Sequence, residues 1–411
     1  MGEDSIMKRR SVLLGGAVAF AGGFAAGRAG AAEKPLKLGV LNDMSGVFAD
    51  YQGPGSVVAT QLAIDDAGAK AGGRAVELVF ADHQNKPDVG MAIARKWLDT
   101  EGVDVIMDVP NSSIALAVAG LVTERNKVFI GSGAGSADLT GARCSPNIVH
   151  WDYDTWETSA ALGRAITERG AKTWFTLAAD YVFGAELDRN VTEAVIAAGG
   201  KIVGGVKAPF PTADFSSYLL QAQASGAQVL ALNNAGGDTT TSLKQAAEFG
   251  LTQSMQVCGP IYNINITKAV GLQVAQGVLG VTPFYWDFND GTRAFSKRYQ
   301  AKDQRHAMPN DMQAAMYSAT AHVIKAVAGG ADPSDGRAVV AAMKAMPTDD
   351  PIFGKGSIRE DGRKMHPVYL FKTKAPAASK SAWDFYTIEA TIPAEKAFRS
   401  LADGKCPMVK A

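Results

Sequence analysis

From Leu36 onward, short apolar runs alternate with stretches whose apolar residues fall at helical spacing, and the alternation restarts after residue 154. A run such as LKLGVL (36–41) has no polar face, so it reads as a strand buried on both sides. Strands of this kind alternating with helices imply parallel sheets covered by helices on both faces. In such folds ligands bind outside the carboxyl ends of the strands, where the topology switches. The loops that follow the strands are therefore where function is sought.

In the first half the apolar runs are 36–41, VELVF (76–80), VDVIMDV (103–109) and VFI (128–130), with helices predicted over 56–69, 87–99 and 113–125. After a bridging segment, NIVHWDYD (147–154), helices are predicted over 155–169, 182–198, 215–224 and 239–249, and strands at TWFTLA (173–178), KIVGGV (201–206) and AQVLALN (227–233). The halves also match in their loops: VLNDMSG answers TLAADYVFG, and VDVIMDVPNSS answers AQVLALNNAGGDTT. Two such units facing each other make a cleft. From Gly277 the chain reads GVLGVTPFYWDFND, then helices over 292–302, 312–328 and 333–346, then short strands and turns with Asp361-Gly362 as a hairpin signal. A length of 411 residues also favours two cores over one. No long Gly/Ser/Pro linker divides the halves, so short hinge strands are expected between them.

The first 32 residues differ in kind: Lys8, Arg9 and Arg10 precede an apolar stretch, Ser11 to Ala26, and the small residues Ala29 to Ala32 precede Glu33. This is the pattern of a cleavable export signal, and Arg9-Arg10 with Arg28 near the cleavage region looks like the twin-arginine type. The apolar stretch is glycine-interrupted and shorter than the about 20 residues of a spanning helix. Cleavage near Ala31 or Ala32 would leave a periplasmic chain with 37 basic and 39 acidic residues, the 41 of each sign less four and two. That near-neutral balance offers no field for nucleic acid. Cys144, Cys258 and Cys406 allow at most one disulfide, Cys144 with Cys406 among the pairings open, and none has metal-site spacing. His83, His150, His306, His322 and His366 form no zinc motif, and no GxSxG occurs. Neither a metal nor a cofactor is expected.

Among the loops, VFIGSGAGSADLTG (128–141) stands out. Its small residues Ser132, Gly133, Ala134 and Gly135 present bare backbone N–H groups between a strand end and a helical turn, which suits the anionic end of a small ligand. A plain surface turn is the alternative. The loop reads GSGAGS and follows the fourth strand, unlike a dinucleotide fingerprint. Asn111, Ser112 and Ser113 are helix caps or ligand groups, and Asp238 with Thr239 carries the same ambiguity. Tyr181 and Phe183 at a strand-to-helix junction, and Tyr285 and Trp286 after a crossover, are core or pocket wall. Asp82 and His83 resemble an acid–base pair but have no nucleophile to serve.

The opening LKLGVLNDMSGVFADYQGPG, the VPNSS and GSGAGSADLTG loops, DYVFG, NAGGDT and FYWDFNDGTRAFSKRY together resemble the periplasmic ligand-binding proteins of the branched-chain amino acid type, receptors of ABC importers, over roughly residues 36 to 373. The resemblance implies an α/β fold of two Rossmann-like lobes (periplasmic binding protein type I) with three hinge crossovers and a cleft between them. Lobe one would hold 34–152 plus 283–353, and lobe two 153–282 plus 354–411. It implies a monomer without cofactor that passes a small carboxylate to a membrane permease. The carboxylate would be held by Asn111 to Ser113 and Gly133 to Gly135, with Phe183 and Asp238 supplied by the second lobe; Ser45, Tyr51, Asn234 and Tyr262 complete the candidate set.

Two positions depart from the amino-acid binders of this family. Where those carry a hydroxyl in the small-residue loop and an acidic residue after Gly-Pro, this chain has Gly135 and Ile261. An uncompensated ammonium in such a slot would cost several kcal/mol, so the guest is expected to lack an α-amino group unless Asp154 or Asp238 substitutes. The FYWDFND segment is similar to that of receptors for aromatic acids, the preferred ligand class. An exported amidase or hydrolase would need Ser112 or Ser132 as nucleophile and shows no base; a signalling sensor is disfavoured because no second membrane segment follows the lobes.

Overall fold

The computed structural model describes residues 33–409. The export signal, with its paired arginines and cleavage region, lies outside them. The first sheet is built from β1 (Leu36–Asn42), β2 (Lys70–Ala71), β3 (Arg74–Asp82), β4 (Val105–Asp108), β5 (Val128–Gly131) and β6 (Ile148–His150), ordered β2-β3-β1-β4-β5-β6. All pairs are parallel except β2 with β3. The second contains β7 (Thr173–Ala179), β8 (Lys201–Ala208), β9 (Val229–Asn233), β10 (Gln256–Cys258) and β11 (Leu279–Thr282). A small three-stranded sheet, β12 (Thr348–Asp350), β13 (Gly354–Ile358) and β14 (Lys364–Met365), precedes β15 (Val368–Thr373) and β16 (Tyr386–Ile392), which extend the second sheet antiparallel beyond β11. Setting aside β2, β15 and β16, both sheets run second-first-third-fourth-fifth in chain order, so the loop-for-loop match in the sequence reflects one topology used twice.

Strand alternation divides the apolar residues between the two faces of each sheet. In the first, Leu36, Leu38, Val40, Val105, Met107, Val128 and Ile130 enter one core, and Leu41, Ile106 and Phe129 the other. In the second, Phe175, Leu177, Leu230 and Leu232 oppose Trp174, Val229 and Ala231. The central strands of both sheets are therefore buried on both sides, as uninterrupted apolar runs require, while β3 and β8 leave one face partly exposed, with Phe80 of the VELVF run largely in solvent. Every strand expected from an apolar run is present. Among the unexpected ones, β2, β6, β10 and β11 have two to four residues each, too few to show a period.

The chain passes between the sheets after β6, after β11 and before β15. Ile352, Phe353 and Ile358 pack in the first core, so the third passage lies beyond Ile358 and not at 353/354. The C-terminal segment, expected wholly with lobe two, returns to lobe one: Cys406 is disulfide-bonded to Cys144, 262 residues away, and Arg399 donates to the Ala137 carbonyl at 3.0 Å. Cys258 is free and buried. Among the described residues no helix is long and apolar enough to cross a membrane.

A cross-link over so long a loop chiefly restricts the unfolded chain. Replacing both Cys144 and Cys406 by alanine is expected to lower unfolding stability by about 2–4 kcal/mol. Denaturant titration under non-reducing conditions checks this; an unchanged midpoint would contradict it.

Candidate functional site

The loops at the carboxyl ends of the two sheets meet. The Gly237 N–H donates to the Val47 carbonyl at 3.2 Å, and the Tyr51 hydroxyl to the Ile261 carbonyl at 3.3 Å. Gly236 has φ +64°, and a Cβ there would lie 2.4 Å from the Val47 oxygen, so only glycine lets this loop reach the opposite lobe. A pocket of about 230 Å³ lies at this seam, lined by Gly46, Val47, Tyr51, Gly236, Gly237 and Asn265. Inward, Phe48, Tyr51 and Met312 of lobe one join Tyr153, Phe183 and Tyr285 in one apolar cluster continuous with the second core.

The glycine-rich loop lies fully buried against this cluster. The Gly133 carbonyl accepts from the Tyr153 hydroxyl at 3.1 Å and the Gln52 amide at 3.4 Å, and the Ala134 carbonyl sits 2.6 Å from His150 Nε2. The N–H groups of Gly133, Ala134 and Gly135 have no partner among the described residues. A Cβ on Gly135 would stand 2.4 Å from Phe183 Cε2 and 3.0 Å from the Tyr153 ring. The hydroxyl missing at Gly135 is thus replaced by aromatic carbon from the other side of the cleft. Tyr181 stacks on Phe210 with ring centroids 4.3 Å apart, and Phe210 lies 5.8 Å from Phe48.

Several expected ligand groups are committed elsewhere. Asn111 caps the helix Ser112–Glu124, accepting from the N–H groups of Ser113 and Ile114, and its amide donates to Asn85 at 2.7 Å. Asp154 caps Thr155–Glu168 and pairs with Arg363 at 3.4 Å, so it does not replace the missing ammonium partner. Ser132 turns its hydroxyl to Met316 Sδ at 2.6 Å, away from any base. Ser45 is exposed and donates to Asp82, whose carboxylate also accepts from the N–H groups of Met44 and Gln84. Asn234 is held by Thr239 and Ser242. Tyr262 is core, stacked on Phe371 with its hydroxyl on Thr267. Tyr285 and Trp286 both donate to the Trp383 carbonyl at 2.9 Å and fasten a hinge passage. Beside the loop, Ser112 retains a buried hydroxyl without a partner, and Ser113 is half-buried in the same first turn. Asp238, buried, accepts only from the Thr212 N–H, at 3.3 Å, among the described residues.

Tyr153, Phe210, Gln52 and Asp108 are site neighbours that the sequence did not single out. The one available signal was the position of Tyr153 in WDYD, at the first passage between lobes. Asp108 and Val109 have φ of +81° and +57°, strained for residues with a Cβ, directly before the PNSS turn. A Cβ on Gly133 would lie 2.4 Å from Asp108 Oδ1, so this carboxyl lies beneath the loop. Burial pushes it up to about 7, against the hydrogen bond from Asn42 at 3.0 Å that holds it down. Burial likewise raises Asp238 to about 6.

Two outcomes follow for this geometry. Because Asp108 lies higher in the folded than in the unfolded chain, the folded state keeps a proton that the unfolded chain gives up above about pH 4; the favourable contribution is present at low pH and is lost as pH rises through about 7. Asp108→Asn should remove this loss, on the order of 3 kcal/mol between pH 4 and 8, and parallel urea-unfolding profiles of variant and parent would contradict it. Gly135→Ala should hold Phe183 off and widen the protein in small-angle scattering with ligand present, and a second change, Phe183→Leu, should restore closure.

The periplasmic binding protein family model matches residues 35–380. A periplasmic binding protein from Burkholderia mallei is 42% identical with TM-score 0.88, covering 92% of this chain and 99% of its own. Leu/Ile/Val-binding protein homolog 6 of Brucella melitensis is 27% identical over 341 residues, 80% of this chain and 85% of its own. A solute-binding protein of an ABC transporter from Rhodopseudomonas palustris BisB5, solved with 3,4-dihydroxybenzoic acid, is 25% identical with TM-score 0.80, covering 88% of this chain and 98% of its own. The chain belongs to the periplasmic binding protein family.

Proposed function

We propose that this protein is an exported, non-catalytic receptor that captures a small carboxylate, an aromatic acid, in the periplasm and delivers it to the membrane permease of an ABC importer. The observation that carries the ligand class is the packing at Gly135, where Phe183 and Tyr153 occupy the space of a hydroxyl or an amine partner. The free N–H groups of Gly133 to Gly135 and the unpartnered Ser112 hydroxyl supply donors for a carboxylate, and Tyr153, Phe183, Tyr181 and Phe210 supply ring faces. Closure removes water and strengthens those hydrogen bonds. Micromolar capture needs about −8 kcal/mol, within reach of a few charge-assisted bonds and one buried ring. The R. palustris protein bound to 3,4-dihydroxybenzoic acid supports this class.

A second reading, a branched-chain or other amino acid, draws on Asp238 as the ammonium partner, because Asp154 already pairs with Arg363 while Asp238 forms no ion pair among the described residues. The Brucella relative fits that reading. A thermal-shift comparison separates them. Benzoate at about 100 times its Kd should raise the melting temperature by about 5 °C, and leucine should leave it unchanged. Stabilisation by leucine and not by benzoate, abolished in Asp238→Asn, would reverse the assignment.

A further inference from the structure

We infer that Glu186 is a positioning residue for ligand capture: from the second lobe it grips the backbone of the first lobe's glycine-rich loop and fixes the form in which that loop offers its free N–H groups. The inference rests on reading residues 133–135 as the carboxylate loop. Phe183 and Glu186 stand three residues apart on the helix Val182–Ala197 and so share one face. The Phe183 ring fills the space over Gly135, while the Glu186 carboxylate accepts from the Ser136 hydroxyl at 2.6 Å and the Ala137 N–H at 3.2 Å. One helical turn of lobe two thus engages three successive residues of the loop.

A third donor completes the arrangement. The Thr155 hydroxyl donates to Glu186 Oε2 at 2.7 Å, and the Thr155 N–H donates to the Gly135 carbonyl at 2.8 Å. Loop and carboxylate are therefore held by the same residue at the start of the second lobe. A buried carboxylate accepts only, and here each donor it receives ties it to the loop or to the residue that holds the loop. Ser136 in turn accepts from the Asp138 N–H, and Arg399 donates to the Ala137 carbonyl. The far side of the loop is thereby fastened to the disulfide-linked tail, while Glu186 grips it from the helix Val182–Ala197. A contact that holds the loop in the form that binds acts on the bound state, so its effect falls on dissociation more than on association.

Glu186→Ala and Glu186→Gln in the full-length exported protein test this, with benzoate as probe. Expected are benzoate dissociation about tenfold faster in the alanine variant, association within about twofold of the parent, and partial recovery in the glutamine variant, which keeps one acceptor oxygen. Unchanged dissociation in both variants would overturn the inference. So would a fall in ligand-free melting temperature with dissociation unaltered, the mark of a purely structural residue. If benzoate does not bind the parent, the ligand reading has failed, and hydrogen exchange decides Glu186 in the ligand-free chain. Faster exchange at Ala137 in the alanine variant upholds it; equal exchange overturns it.

Discussion

The contact of the Phe183 ring with a residue that has no side chain, Gly135, governs how near the two lobes come. With any larger residue at 135 the ring could not sit over the loop, Tyr153 could not keep its hydroxyl on the Gly133 carbonyl, and Glu186, three residues on, could not reach Ser136. The cross-lobe hydrogen bonds around this point are short because the backbone is bare, and the backbone is bare because a ring from elsewhere supplies the bulk. The glycine is a packing solution between two lobes as much as a local one in a loop.

The same economy does not hold at the hinge. Asp152 and Glu157 are fully buried with no hydrogen-bond partner on either carboxyl oxygen, and Arg363 and Lys364 each keep an unpartnered donor. Burial, reinforced by the neighbouring Asp311, pushes Asp152 far above the ordinary carboxylate range, while burial lowers both Arg363 and Lys364. An unpaired buried charge costs several kcal/mol, so the folded hinge favours neutral carboxyls that the unfolded chain would ionise. Arg363 recovers part of this through Asp154 and through the Phe398 ring 4.0 Å away, and Lys364 through the Phe353 ring at 4.0 Å. The passages between lobes are therefore polar strands in an apolar setting.

The parallel strands were legible because an uninterrupted apolar run has one interpretation in an α/β fold, and the repeated strand-to-loop grammar exposed two lobes. What sequence could not supply was direction. Asn111, Asp154 and Asn234 are residue types that serve caps and ligands equally well, and the structure uses all three on their own helices or loops. Tyr262 and Tyr285 are aromatics near a cleft by position, yet one faces the core and the other a hinge passage, and both lie in loops after strands, where no period tells which way a side chain points. Asp108 gave no signal at all: its strained backbone and buried carboxyl arise from tertiary packing that leaves no local pattern.

The shared strand order allows the two lobes to be compared position by position. The loop after the third strand of lobe one carries strain at Asp108 and Val109 and ends in Ser112 with a free buried hydroxyl; its counterpart after β9 is closed by Asn234, Thr239 and Ser242 bonded among themselves. The first loop keeps an unpartnered serine hydroxyl, whereas in the second the hydroxyls of Thr239 and Ser242 pair with the Asn234 side chain. Unsatisfied groups are costly unless something outside the loop pairs with them. The free donors of the cleft, the Ser112 hydroxyl and the N–H groups of Gly133 to Gly135, therefore sit on lobe one, while its aromatic residues come from both lobes, Phe48 and Tyr51 from one and Tyr181, Phe183 and Phe210 from the other.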